Sequence, residues 1–189
     1  MEFDDILKRR TIRFFRQEPV PDAELRYMLD AACLAASGGN RQPLRYLAIR
    51  RPELVKAVFT HTRYAALVKP HRSPEWGRNA PTVFVAVCAP ETAAVDAGAA
   101  IQSLAFAAWN HGIGCCWIGA FDHAEVNALL GNPDPPVLYL AALGYPAESP
   151  VAERIPAGAS TAYYLDEADT LHVPKYTAEA VTTYLDGIS

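Results

Sequence analysis

The chain has 189 residues, 51% of them hydrophobic and 20% charged, with a formal charge of −4. That size supports one domain with a real core, and the acidic balance without a Lys/Arg block argues against a nucleic-acid binder. Charges and prolines break every apolar run well short of the roughly 18 residues that would span a membrane, and "MEFDDILKRR" has no apolar leader segment.

Helical periodicity begins around Phe3, Ile6 and Leu7 and leads into "KRRTIRFF" (8–15). There Arg9 and Arg13 stand four apart, one helical face, with Arg10 and Thr11 beside them. Guanidiniums grip phosphate through bidentate forks, so this is a candidate anion site. The alternative is a solvated basic face balanced by Glu2, Asp4 and Asp5.

Val20-Pro21-Asp22 offers a helix cap, after which Leu25, Met28, Leu29, Ala32, Cys33 and Ala36 recur at three- and four-residue steps. "SGGNRQ" (37–42) follows, longer than a plain helix-to-strand turn requires. Its glycines permit close backbone approach. Ser37, Asn40 and Gln42 supply uncharged donors and acceptors, which suit a polar heterocycle better than a phosphate. A helix C-cap with an Asn-rich turn explains the same composition.

A strand is predicted over "LRYLAI" (44–49) and a short helix over 51–59. The Pro-punctuated segment 60–81 is long for a plain connection. "TVFVAVC" (82–88) reads as a strand covered on both faces. The longest helix runs from Asp96 to Asn110 and ends at Gly112, "CCWI" (115–118) is a strand, and Asp122 caps a helix stopping at Gly131. "PVLYLAALGYP" (136–146) is the last strong strand. The alternation implies one layered α/β or α+β domain. The tail after Pro146 is weakly patterned and ends in a helix-like "TAEAVTTYL"; a tail that barely packs on its own body is expected to wrap a partner chain.

"HGIGCCWIG" (111–119) has glycines after a helix and before a strand, the reverse of a dinucleotide-binding loop. His61 and His71 lack a third ligand at metal spacing, so no metal is expected. Cys33, Cys88, Cys115 and Cys116 form no C-x-x-C pair, which points to core thiols and a reducing, cytoplasmic location.

Taken in order, "RRTIR", "AASGGNRQP", "DAGAAIQSLAFAAWNHGIGCCWIGAFD", "LLG" and "LYLAALGYP" resemble the nitroreductase family of flavoproteins across residues 3 to 146. The resemblance implies an α+β three-layer fold with a central, mostly antiparallel sheet flanked by helices. It also implies a homodimer with FMN at the subunit interface and a C-terminal arm, here 147–189, exchanged between subunits. Arg9, Arg10, Thr11 and Arg13 would hold the FMN phosphate and ribityl chain. Ser37, Asn40 and Gln42 would approach the ring from the other subunit, with Trp117, Ile118 and Gly119 on its opposite side. Members often carry a cation soon after "LGYP". Here that stretch holds only Arg154, and Lys175 in "HVPKY" is the better match.

The implied activity is reduction of a small organic acceptor (nitroaromatic, quinone or similar) by NADH or NADPH, one flavin face serving each in turn. Relatives of the fold also dehalogenate, oxidise cyclic dipeptides or cleave flavin, and a non-catalytic flavin-binding module is a further alternative. His61, Tyr64, His71, Arg72 and Trp76 in segment 60–81 are candidates for a substrate lid, or simply a surface connection.

Overall fold

The computed structural model describes residues 3–64, 68 and 72–185. Four strands, β1 (Arg45–Ile49), β2 (Val83–Cys88), β3 (Gly114–Ile118) and β4 (Val137–Gly144), form an antiparallel sheet in the order β1-β2-β4-β3. β2 is interior and buried at every position, which is why it reads as an unbroken β-branched run rather than an alternation.

The two faces carry different helices. Phe84, Ala86, Cys116, Ile118, Leu140 and Ala142 point to one side, where Val55 and Val58 of α3 (Pro52–Thr60) and Val126 of α5 (His123–Leu129) cover them. Val83, Val85, Cys115, Ala141 and Leu143 point to the other, under α2 (Asp22–Cys33) and α4 (Ala94–Asn110). The even/odd split is the two-residue period of a strand, and the result is the expected α+β three-layer arrangement. A short α1 (Phe3–Lys8) precedes the cationic segment.

Helix ends follow local chemistry. Asp122 accepts a hydrogen bond from the Glu125 N–H at 3.1 Å, the cap expected for α5. Gly112, at φ +71°, ends α4 in the left-handed region. α2 differs from expectation: Pro21 is its N-cap position, Asp22 lies inside it paired with Arg50, and it ends at Cys33, leaving Ala36 outside.

Segment 147–181 carries structure of its own that its weak patterning does not announce. β5 (Val151–Ile155), β6 (Tyr164–Leu165) and β7 (Leu171–Tyr176) make a second sheet in the order β5-β7-β6, with β5 parallel and β6 antiparallel to β7. The helix-like end contracts to α6 (Ala178–Val181). Leu171, at 2% exposure, is buried, as are Pro150 and Pro174. Side-chain polar contacts do the rest: His172 on β7 meets Glu153 of β5 at 2.7 Å and Asp166 at 3.2 Å, stacks on Tyr164, and Tyr164 donates to Glu153. Short strands held by polar pairs leave no apolar alternation to read.

These pairs make the small sheet pH-sensitive. Hydrogen bonds to Asp166 and Glu153 raise His172 above its ordinary 6.5, so its stabilisation is whole below that pH and is lost as pH rises through the raised value. The Tyr164 hydrogen bond lowers Glu153 from 4.5, and backbone donation from Thr170 lowers Asp166 from 3.8; their stabilisation is lost only as pH falls through those lowered values. The protection factors of the β7 amides, that is exchange corrected for its base-catalysed intrinsic rate, are therefore expected to be highest between about pH 4.5 and 6.5 and to fall on the alkaline side. In His172→Gln the alkaline change should vanish; if it persists, another group controls the sheet.

Candidate functional site

β3 is an edge strand, and the cationic segment lies against it. Thr11 sits beside Cys115 in parallel sense, and the Ile12 N–H donates to the Cys115 carbonyl at 3.1 Å. That carbonyl points away from β4, so strand alternation turns the backbone groups of Trp117 to the same outer edge, with Gly119 next in phase. Ile12 and Phe15 are buried over Gly114 and Gly144, which face each other across β3 and β4. A Cβ on Gly114 would lie 2.7 Å from Ile12, and one on Gly144 would lie 3.0 Å from Phe15. Close approach to these two glycines fixes the segment carrying Arg9, Arg10 and Arg13.

Those arginines open onto a cleft of about 90 Å³ lined by Arg9, Arg10, Thr11, Arg13, Tyr163 and Lys175, with Pro150, Ala152 and Val173. β7 of the tail sheet thus brings Lys175 to the segment at the other end of the chain. Among the described residues, the side chains of Arg9, Arg13 and Lys175 have no carboxylate partner. Glu2, the first of the acids set against them, lies outside the described residues.

Arg10 differs from its neighbours. Its guanidinium donates to the carbonyls of Leu7 at 2.9 Å and Arg9 at 2.6 Å, closing the end of α1. Burial, then Arg9 and Arg154, push its pKa down. Tyr163 is a wall residue without a sequence signal; the Arg13 guanidinium lies 5.7 Å from its ring centroid.

The 37–42 loop stands apart. With Cys33, Leu44, Tyr46, Asp96 and Ala100, Ser37 and Gln42 line a different cavity of about 340 Å³, which shares no residue with the cationic cleft. The Ser37 hydroxyl accepts from the Gln42 N–H at 3.0 Å, and the Gln42 side chain donates to Asn40 at 3.1 Å. Asn40 and Gln42 hold φ of +54° and +47°, so the loop is shaped by these bonds against backbone preference. Within one chain the loop and the arginines are not brought together.

Trp117, 43% exposed, packs edge-on to Tyr139 at 5.1 Å and leans over Gly98 of α4. The Ile118 side chain is buried on the opposite face, and Gly119 sits beside Tyr139. Cys115 and Cys116 likewise point to opposite faces. Both side chains are buried, and burial pushes their thiols up to about 12 and about 11, away from the reactive thiolate.

The lid candidates in 60–81 that are described make varied contacts. Tyr64 is buried in the core, Arg72 is held in ion pairs, Trp76 packs on Phe59 at 5.8 Å, and the His61 carbonyl accepts from the Asp122 N–H. His71 lies outside the described residues.

With this geometry in place, the family model described as "Nitroreductase family" matches residues 6–145. The chain belongs to the nitroreductase family. A Thermus thermophilus protein named NADH dehydrogenase is 31% identical over 183 residues, covering 75% of this chain and 85% of its own. A Rhodospirillum rubrum protein named 5,6-dimethylbenzimidazole synthase is 29% identical over 178 residues, covering 78% and 84%. The solved NADPH:FMN oxidoreductase from Vibrio harveyi, complexed with NAD+, superposes with a TM-score of 0.66 at 25% identity, covering 82% of this chain and 73% of that one. The nitroreductase model stops at residue 145, so the tail sheet bearing Lys175, and Tyr163 just before β6, lie beyond the matched region.

Proposed function

We propose that this nitroreductase-family protein is an FMN-dependent oxidoreductase that uses NADH or NADPH to reduce a small organic acceptor. The observation that carries the reading is the convergence of Arg9, Arg13 and Lys175, whose side chains have no carboxylate partner among the described residues, on one small cleft at the segment that lies along the outer edge of β3. A phosphate monoester fits such a donor set: forked and single cationic donors, a hydroxyl from Thr11, and no acid on the wall. Bound FMN would supply the hydride chemistry that no side chain here provides.

The protein's part is to hold and orient. Arg9, Arg13 and Lys175 would grip the phosphate, with Arg10 and Thr11 steadying the segment and the ribityl chain. Trp117, Ile118 and Gly119 would line the ring's other side, with the outward-turned backbone donors of Trp117 and Gly119 reaching its edge. Ser37, Asn40 and Gln42 would come from a second subunit, which accounts for their separation from the cleft in one chain. Large exposed apolar residues beside that loop, Leu34 at 86% and Val95 at 84%, support a homodimer with its flavins at the interface. Beyond α6, Tyr184 and Leu185 are also exposed and suit an exchanged C-terminal arm. All four cysteines are free, in keeping with the cytoplasm.

Oxygen-free addition of NADH or NADPH tests this: the yellow colour is expected to bleach and to return when a quinone or nitroaromatic is added. Donor and acceptor sharing one place in turn predicts parallel double-reciprocal lines. Absence of bleaching with either nucleotide would favour a same-fold enzyme with another task, a reading supported by the relative named 5,6-dimethylbenzimidazole synthase. Cys115→Ala and Cys116→Ala are each expected to leave turnover within about tenfold, roughly 1.4 kcal/mol of barrier. A loss of several orders of magnitude with FMN retained would mean a thiol step.

A further inference from the structure

Behind the cationic cleft lies a second polar group that neither the family resemblance nor the cleft itself accounts for. Glu148, four residues beyond β4, has a side chain only 5% exposed. One carboxylate oxygen accepts the backbone N–H of Arg13 and, at 3.1 Å, that of Phe14. The other pairs with Arg72 at 2.9 Å. Arg72, 15% exposed, lies 4.3 Å from the Phe14 ring centroid and reaches Asp169 of the tail at 3.4 Å. Three distant stretches of chain thus meet on one carboxylate.

We propose that Glu148 is a positioning residue for the anion cleft, and that Arg72 neutralises it so that it can act there without repelling the bound phosphate. The inference rests on the FMN reading above. Ile12 and Phe15 are already fixed over Gly114 and Gly144, and the Phe14 carbonyl accepts from the Ala147 N–H at 2.9 Å. What Glu148 adds is an anchor at Arg13, the residue whose guanidinium enters the cleft. Pro150 lines both the cleft and the neighbouring cavity that holds Glu148 and Arg72, so the carboxylate stands directly behind the anion site. An unpaired buried carboxylate there would oppose a phosphate through a low-dielectric wall. Paired with Arg72, it holds the backbone with its own buried charge offset, while the second acid on Arg72, Asp169, is 72% exposed and screened by solvent.

The test compares the affinities of FMN and riboflavin, which share ring and ribityl chain and differ in the phosphate. In Glu148→Ala, loss of the anchor is expected to weaken FMN by about tenfold or more, the scale of a lost charge-assisted hydrogen bond, while riboflavin changes by less than about threefold. Glu148→Gln keeps the acceptor oxygen and should restore FMN to within about threefold of the native protein. Arg72→Met leaves the carboxylate bare; FMN should weaken by about tenfold, and more at high pH than at low pH, and Arg72→Met/Glu148→Gln should recover most of that loss. If Glu148→Ala does not fold, Arg72→Met and its rescue carry the same test. Equal losses for FMN and riboflavin, or no rescue by Gln, would make the cluster mere scaffold and overturn the proposal. A native protein that binds FMN no better than riboflavin would instead overturn the phosphate assignment of the cleft, and the role of Glu148 with it.

Discussion

Arg9→Ala/Arg13→Ala is expected to emerge folded but colourless. Each guanidinium removed from a phosphate forfeits about 1.5–3 kcal/mol, so each single variant should bind FMN roughly 10- to 150-fold more weakly. The double variant should lose it at ordinary protein concentrations. The fold should survive, because neither side chain has a carboxylate partner among the described residues, and the segment is anchored by Ile12 and Phe15 instead. Fluorescence titration with FMN and riboflavin measures the effect. Full FMN affinity in the double variant would remove these arginines from the site.

Gly114→Ala is expected to damage both stability and cofactor binding. The new Cβ would meet the Cβ, Cγ1 and Cγ2 atoms of Ile12 at 2.7–2.9 Å, and these are atoms next to the backbone rather than the tip of a flexible chain. Strand or segment must move, at a cost of about 1–3 kcal/mol, seen as a fall in Tm of roughly 2–4 °C per kcal/mol for a chain of this size. The moving part is the stretch bearing Arg9 and Arg13, so FMN affinity should fall in the same variant. Unchanged Tm and unchanged affinity would mean that the close approach at Gly114 does not hold the segment.

The sheet and its main helices were legible because each declares itself locally. β2 is an unbroken apolar run, α4 has a long period of 3.6, and Asp122 and Gly112 mark ends by capping chemistry and handedness. The Arg9–Arg13 cluster was legible as chemistry, although its alternative, a solvated face, had the same spacing. What the sequence concealed is what depends on distance along the chain. Lys175 comes to line the same cleft as Arg9 only through β7, whose strand has little apolar alternation. Tyr163 and Glu148 carry no pattern at all, since a wall residue and a backbone anchor are defined by what they touch. Arg72 reads as a lid residue in a long polar segment, and its ion pairs with Glu148 and Asp169 and its place over the Phe14 ring sink it into the structure. Gly114 and Gly144 were visible, but their purpose rests on Ile12 and Phe15, a hundred or more positions earlier.

The most direct measurement is of what the protein carries. Protein incubated with excess FMN, freed of unbound flavin by gel filtration and then denatured, should release one FMN per chain and no FAD, and should be yellow beforehand. Folded protein that stays colourless after that incubation would contradict the account at its centre, whatever its resemblance to flavoproteins.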